Sequence, residues 1–438
     1  MAEFPRPETL DAFRSRIDPS WIQQALDATG TATLRRRRLP AGQVIWLVLG
    51  MALFRDRSIV DVADSLDIAL PGAKGAPVAK SAVAQARDRL GEEPMERLFD
   101  TCATRWSHAS AGRHRWRGLA LYGADGTTLR VPDSPENREH FGAPRGGRGA
   151  EGAYPQLRLV ALFALRSHLL VRACFGSYRV GESTYARGLW SALPDHSLCV
   201  VDKGFFAAHA LLPLARDGTQ RHWLTRAKKN AKWRVLDRRG EGDLLVEMTV
   251  SGDSRDKDAS LPKTWTARAI RYQRPGFQPQ WLLTSLLDAT AYPAREVAAL
   301  YHERWEIELA YDEIKTEMLD REESLRSRSP ARVGQEVWGI LLAYNLVRLE
   351  MERAAEEARV EPTRISFIVS LHLICDEWIL DAASSPGAIP RHLLKLRANL
   401  KRLVLPPRRP ERRYPRAVKI TGSGYPAKRP SRRTGIVK

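Results

Sequence analysis

Apolar positions change their period twice along this chain, and each change marks a change of element. From Asp18 to Ala28 they recur at helical spacing behind a capping aspartate, with Gly30 just past the end, which predicts a short helix. Gln43 to Phe54 is apolar on every side and predicts a core helix. Ser58 to Leu66 and Ser81 to Leu90 are amphipathic around the breaker-rich PGAKGAP, so helix, break and helix are expected, with Ser81, Gln85, Arg87 and Arg89 facing outward. That pair suits DNA reading and suits a plain helical domain equally. No internal repeat interrupts the pattern.

After Trp116 the period shortens to two. Leu119 to Asp125 alternates, and Asp125-Gly126 precedes the β-prone Thr127 to Val131, predicting a strand that turns into a second strand with Asp125 near the turn. The Gly-rich residues 142–153 lack the Lys-Ser/Thr ending of a phosphate loop and predict a flexible loop. Leu157 to Leu165 and Leu169 to Tyr178 predict a strand pair, and Ser183 to Leu193 a helix. Leu198 to Val201 is apolar throughout, the mark of a buried central strand, and delivers Asp202 at its tip. A helix at His209 to Ala215 and a strand at Arg221 to Ala227 follow, then an irregular β-rich stretch over 230–285 that reads as an insertion.

Helical spacing then returns. In Tyr301 to Lys315, at about 100° per residue, Tyr301, Arg304, Glu308 and Lys315 fall within roughly 60° of one another. Beside that stripe runs an apolar face of Leu300, Ile307, Ala310, Tyr311, Ile314 and Met318, while Glu303, Glu306, Glu313 and Glu317 point away, as solvated carboxylates do. Helices are predicted again at Arg332 to Ala358 and Arg364 to Leu380. From Pro406 onward Pro and Arg dominate without an apolar period, which predicts an extended basic tail.

Charge narrows the class of partner. Lys and Arg number 70 against 51 Asp and Glu, a net charge of +19, which argues for a polyanion, nucleic acid before membrane. The longest apolar stretch, Val44 to Phe54, is too short to span a bilayer, and the start MAEFPRPETL lacks the apolar run of a signal peptide. Cys102, Cys174, Cys199 and Cys375 are scattered without ligand spacing and read as buried thiols in a reducing, cytoplasmic setting. The run Arg35, Arg36, Arg37, Arg38 is either a phosphate clamp or a solvated cluster.

Three acids carry the candidate chemistry. Asp125 and Asp202 belong to strand ends, and Glu308 projects from a helix beyond the insertion. Three such carboxylates at one sheet edge repel unless divalent cations neutralise them, and oxygen ligands without His or Cys favour Mg²⁺ or Mn²⁺. Two ions about 4 Å apart can activate an attacking oxygen and steady the leaving oxygen of a phosphodiester.

The motifs Y-x2-R-x3-E-x6-K at Tyr301, Arg304, Glu308 and Lys315, Y-G-A-D-G-T-T around Asp125 and V-V-D-K-G-F around Asp202 resemble the insertion sequence 4 family of bacterial DDE transposases. TATLRRRRLPAGQVIWLVLGMALFRDRS and RRYPRAVK extend the resemblance over nearly the whole chain. It implies an α/β fold: an RNase-H-like catalytic core over 113–230 and 286–385, a β-strand insertion at 231–285, a helical DNA-binding domain over 1–112 and a basic tail at 386–438. It further implies Mg²⁺-dependent excision and strand transfer, with Asp125, Asp202 and Glu308 as metal ligands. The expected partner is double-stranded DNA, both element ends and target, held by a homodimer in a synaptic complex at the nucleoid.

Tyr301, Arg304 and Lys315 are then expected on phosphates at the element's end. Trp281 is expected either against a base flipped from the duplex or in a strand core, and Arg226, Lys228 and Lys229 on the DNA backbone or in a solvated loop. A nuclease that cuts without joining would keep the same acids. A DNA-binding repressor derived from such an enzyme would show a broken triad or a truncated N-terminus, and neither is present.

Overall fold

The computed structural model describes residues 17–31, 39–66, 68, 78–145, 152–273, 278–319, 324–383, 398–399 and 403–406. The Arg35 to Arg38 run and the tail beyond Pro406 lie outside them.

Strand β1 (Ala120–Arg130) is the axis of the sheet. β2 (Gln156–Ala164) and β3 (Leu170–Ser177) fold back beside it as an antiparallel meander. On the other flank β4 (Ser197–Val201) and β5 (Arg221–Arg226) run parallel to β1, reached through helical crossovers. β4 is buried at every residue, as its unbroken apolar sequence requires. This is the RNase-H-like arrangement expected from the sequence.

The stretch expected as an insertion contributes β6 (Arg234–Gly240), β7 (Asp243–Thr249), β8 (Thr264–Tyr272) and β9 (Gln280–Thr284). Because β9 pairs with β5, these strands prolong the core sheet, giving the nine-stranded order β3-β2-β1-β4-β5-β9-β8-β7-β6. Arg268 on β8 fastens them. Its fully buried guanidinium forks onto Asp243 at 2.7 and 2.5 Å and donates to the Tyr292 carbonyl at 2.6 Å. It thereby ties the added strands to the loop that leads into the signature stretch.

Helices cover the sheet. Asp18 caps Pro19–Ala28 by accepting from the Ser20 amide at 2.8 Å, and a Ser58–Asp61 capping box starts Ile59–Ser65. The helix Pro330–Ala358, 29 residues long, packs against the helices Ala41–Leu53 and Glu93–Arg113 and is buried along most of its length. Along it Asn345 bonds the amide and carbonyl of Leu170 at 2.8 and 2.9 Å, tying the helix to β3. Gly339 admits Val48 of the apolar helix Ala41–Leu53, where a Cβ would lie 2.5 Å from the valine methyl. No helix among the described residues is long and apolar enough to cross a membrane.

Three expectations change. Asp125 lies inside β1, because β2 pairs with that strand without interruption from Tyr122 to Arg130, and cross-strand bonding overrides the Asp-Gly turn signal. The helix expected over Ser183 to Leu193 is a short helix, Glu182–Ala186, and a separate turn, Trp190–Ala192. Gly188 separates them, and its missing Cβ leaves room for the Cys174 thiol. Arg87, expected outward on Lys80–Leu90, is buried, donating to Gln335 at 2.7 Å and to the Ser327 hydroxyl and Arg332 carbonyl at 3.3 Å. Only Ser81, Gln85 and Arg89 of that set are exposed.

Candidate active site

Adjacent parallel strands bring the first two acids level. Ala124 of β1 is in register with Val201 of β4, so Asp125 and Asp202 follow at the same height. Asp125 accepts from the Gly126 amide at 2.8 Å, and Asp202, leaving β4, accepts from the Gly204 amide at 3.3 Å. Burial pushes the Asp125 carboxyl up to about 6, with nearby Asp202 and Glu182 adding to the rise and the Gly126 amide and Arg304 opposing it. A partly desolvated carboxylate facing another of like charge is a site that favours a cation.

The signature stretch arrives above them in three segments, not as the single α-helix expected. Tyr301–Arg304 is a tight 3₁₀ turn, Trp305–Asp312 is α-helical and Glu313–Met318 is a wide π turn. In the tight turn Tyr301 and Arg304 eclipse one another, and Lys315 falls in the wide turn. Arg304 donates to Glu308 at 2.8 Å and lies 3.6 Å from Asp125, so one guanidinium bridges the acid of the helix and the acid of β1. Tyr301 is buried, and burial pushes its phenol up to about 12.

Three of the four carboxylates expected to be solvated, Glu303, Glu306 and Glu313, are engaged instead. Glu303 is clasped by Arg166 at 2.9 and 2.8 Å. Glu306 meets His168 at 2.9 Å, and Glu313 receives the Tyr344 hydroxyl at 2.7 Å with buried Arg348 at 3.6 Å. They moor the segment to the β2–β3 turn and to the long helix.

Asp125, Asp202, Tyr301, Arg304 and Glu308 thus share one region. Arg226 on β5 lies close enough to influence Tyr301 and donates to Gln280 at 2.9 Å. Lys228 sits 6.0 Å from the Phe206 ring centre. Trp281, on β9, is half-buried and edge-on to Trp233 at 5.7 Å, so its indole is already part of the packing of the added strands.

Three hard-oxygen carboxylates suit Mg²⁺ or Mn²⁺ in donor chemistry. Among the described residues no three of His, Cys, Asp or Glu converge closely enough to ligate one ion, and Arg304, bonded to Glu308 and near Asp125, supplies the counter-charge between those two acids.

Two residues escaped the sequence reading. Glu182, held by Arg158 at 2.7 Å, lies over β1 where a Cβ on Gly126 would come within 2.7 Å of its carboxyl carbon. Glycine at that position is what lets a fourth acid approach. Tyr311 lay on the apolar face, and nothing in its spacing disclosed that its hydroxyl bonds the Asp125 peptide at 2.7 Å.

The family description "Insertion element 4 transposase N-terminal" matches residues 7–100, and "Transposase DDE domain" matches residues 121–346. The chain is 40% identical over 419 residues to "Transposase InsG for insertion sequence element IS4" of Escherichia coli (strain K12), covering 95% of this chain and 93% of that one. It is 38% identical over 232 residues to "Putative transposase InsZ" of the same organism, covering 53% of this chain and 76% of the relative. Among solved structures, a piggyBac transposase synaptic complex with hairpin DNA superposes with a TM-score of 0.43 at 10% identity, covering 93% of this chain and 87% of that one.

Proposed function

Because this chain belongs to the insertion sequence 4 family of DDE transposases, we propose that it binds the inverted ends of a mobile DNA element, cuts them free and joins them to a target. The observation that carries the reading is the level placement of Asp125 and Asp202 on adjacent parallel strands, with Arg304 linking Glu308 to the same place.

Asp125, Asp202 and Glu308 are the catalytic acids and would hold divalent cations, Mg²⁺ or Mn²⁺. Such ions supply activation of an attacking oxygen and neutralisation of a leaving oxygen. The rest is done by side chains. The guanidinium of Arg304 forks onto a phosphate at the element's end, exchanging Glu308 for a stronger bidentate partner, and Glu308 is released toward Asp125. Tyr301 and Lys315 flank the same phosphate run, and Arg226 and Lys228 extend the cationic path along β5. Cutting leaves a 3′ hydroxyl that attacks a target phosphodiester in line, so the same acids serve both steps. Two copies of the chain hold two inverted ends, because a two-fold pair of sites matches a two-fold pair of proteins.

Joining separates this reading from a nuclease with the same acids. A pre-cut, labelled element end is incubated with supercoiled plasmid and Mg²⁺. The expected product is label covalently joined to plasmid, lost in Glu308→Gln. Plasmid nicking without label transfer would show a nuclease.

A further inference from the structure

We propose that Tyr311 is a positioning residue of the cutting reaction, setting the height of Asp125 against Glu308 through its hydroxyl. The inference rests on the assignment of those two acids made above. Asp125 is paired with Ala161 in the antiparallel register of β1 and β2. At that pair the Tyr311 hydroxyl accepts from the Ala161 amide at 3.1 Å and donates to the Asp125 carbonyl at 2.7 Å. The helix thus puts an oxygen of its own into the ladder at the rung that carries the catalytic acid. Sheets satisfy their amides and carbonyls internally, so a side chain admitted to a buried rung fixes the strands to whatever element bears it.

The seating has a second point. Ile307 fills the space over Gly123, where a Cβ would lie 2.6 Å from its terminal methyl. Ile307 and Tyr311 are one helical turn apart, a rise of about 6 Å, and Gly123 and Asp125 are two strand residues apart, about 6.6 Å. The two spacings match, so the helix rests on β1 at two points in register. Glu308 projects from the turn between them. Edge-on contact with Phe163, at 5.2 Å and 88° between the rings, holds the phenol in that direction. A tyrosine there only for its bulk would need no hydroxyl; phenylalanine would fill the same core.

The experiment is Tyr311→Phe in the full-length protein, measured beside Asp125→Asn. Four quantities are read: the single-turnover cutting rate on a labelled element end, affinity for that end, melting temperature, and Mn²⁺ affinity from water proton relaxation. Misplacing a reacting group by about 1 Å costs on the order of 100-fold in rate, so Tyr311→Phe is expected to cut about 10- to 100-fold more slowly. Mn²⁺ affinity falls several-fold, while end binding stays within about twofold and the protein remains folded. Cutting and Mn²⁺ binding both at wild-type levels, with Asp125→Asn inactive, would overturn the positioning role alone. A parallel collapse of melting temperature, end binding and cutting would show a packing role and overturn it too. Asp125→Asn cutting normally would overturn the assignment of Asp125 itself, and this inference with it.

Discussion

Arg268 makes a sharp test of how the added strands are joined to the catalytic core. Its side chain is fully buried, and the Asp243 carboxylate is the only acid bonded to it among the described residues, with the Leu286, Asp288 and Tyr292 carbonyls as further acceptors. Asp243→Asn keeps the shape but removes the charge, leaving a guanidinium that water cannot reach. Breaking one partner of a buried pair costs about 3–5 kcal/mol, because the surviving ion is uncompensated. At roughly 2 °C per kcal/mol for a large domain, the melting temperature should fall by about 6–10 °C.

The assay is thermal unfolding by circular dichroism of wild type, Asp243→Asn, Arg268→Met and the double variant Asp243→Leu/Arg268→Met. The double variant should recover most of the loss, since an apolar pair of similar volume avoids the desolvation of both charges. A single-variant fall below about 2 °C, or a double variant no better than the singles, would refute the claim that this buried pair fastens β8 to β7.

Two other perturbations follow from the same geometry. Gly126→Ala should slow cutting at a cost in stability of at most about 1 kcal/mol, because its Cβ displaces only the flexible, partly exposed Glu182 carboxyl from Arg158; adding Glu182→Ala should restore the cutting rate, and no recovery would place the clash elsewhere. Trp281→Ala should lower stability, since the indole packs on Trp233, yet impair hairpin formation on the element end more than first-strand nicking; equal loss at every step would reject a base-stacking role for the indole.

Much of the architecture was legible because burial writes itself into apolar spacing. The unbroken Leu198 to Val201 run marked β4 as a central strand, and the return of helical spacing marked the long helix through the core. Asp202 was legible as a strand-tip residue because it ends that apolar run. Asp125 was misplaced at a turn because local Asp-Gly chemistry outweighed, on the page, a β2 partner that only the fold supplies. The signature stretch reads as one helix in sequence because an ideal period cannot show a tight turn before Trp305 and a wide turn after Asp312. Its outward glutamates found Arg166, His168 and Arg348, all distant in sequence. Tyr311 was invisible for a related reason: a tyrosine on an apolar face counts as core, and only the neighbouring strands give its hydroxyl a task.

The measurement that bears most directly on the account is cutting of a labelled element end in Mg²⁺ by Asp125→Asn, Asp202→Asn and Glu308→Gln, with affinity for the end measured in parallel. On the proposed reading each change would remove one oxygen charge from the cation site and would leave Tyr301, Arg304 and Lys315 to hold the phosphates. All three proteins should bind the end at close to wild-type affinity and cut it at least about 1,000-fold more slowly, the scale expected when a reacting charge is lost. Cutting at near wild-type rate by any one of the three would contradict the account.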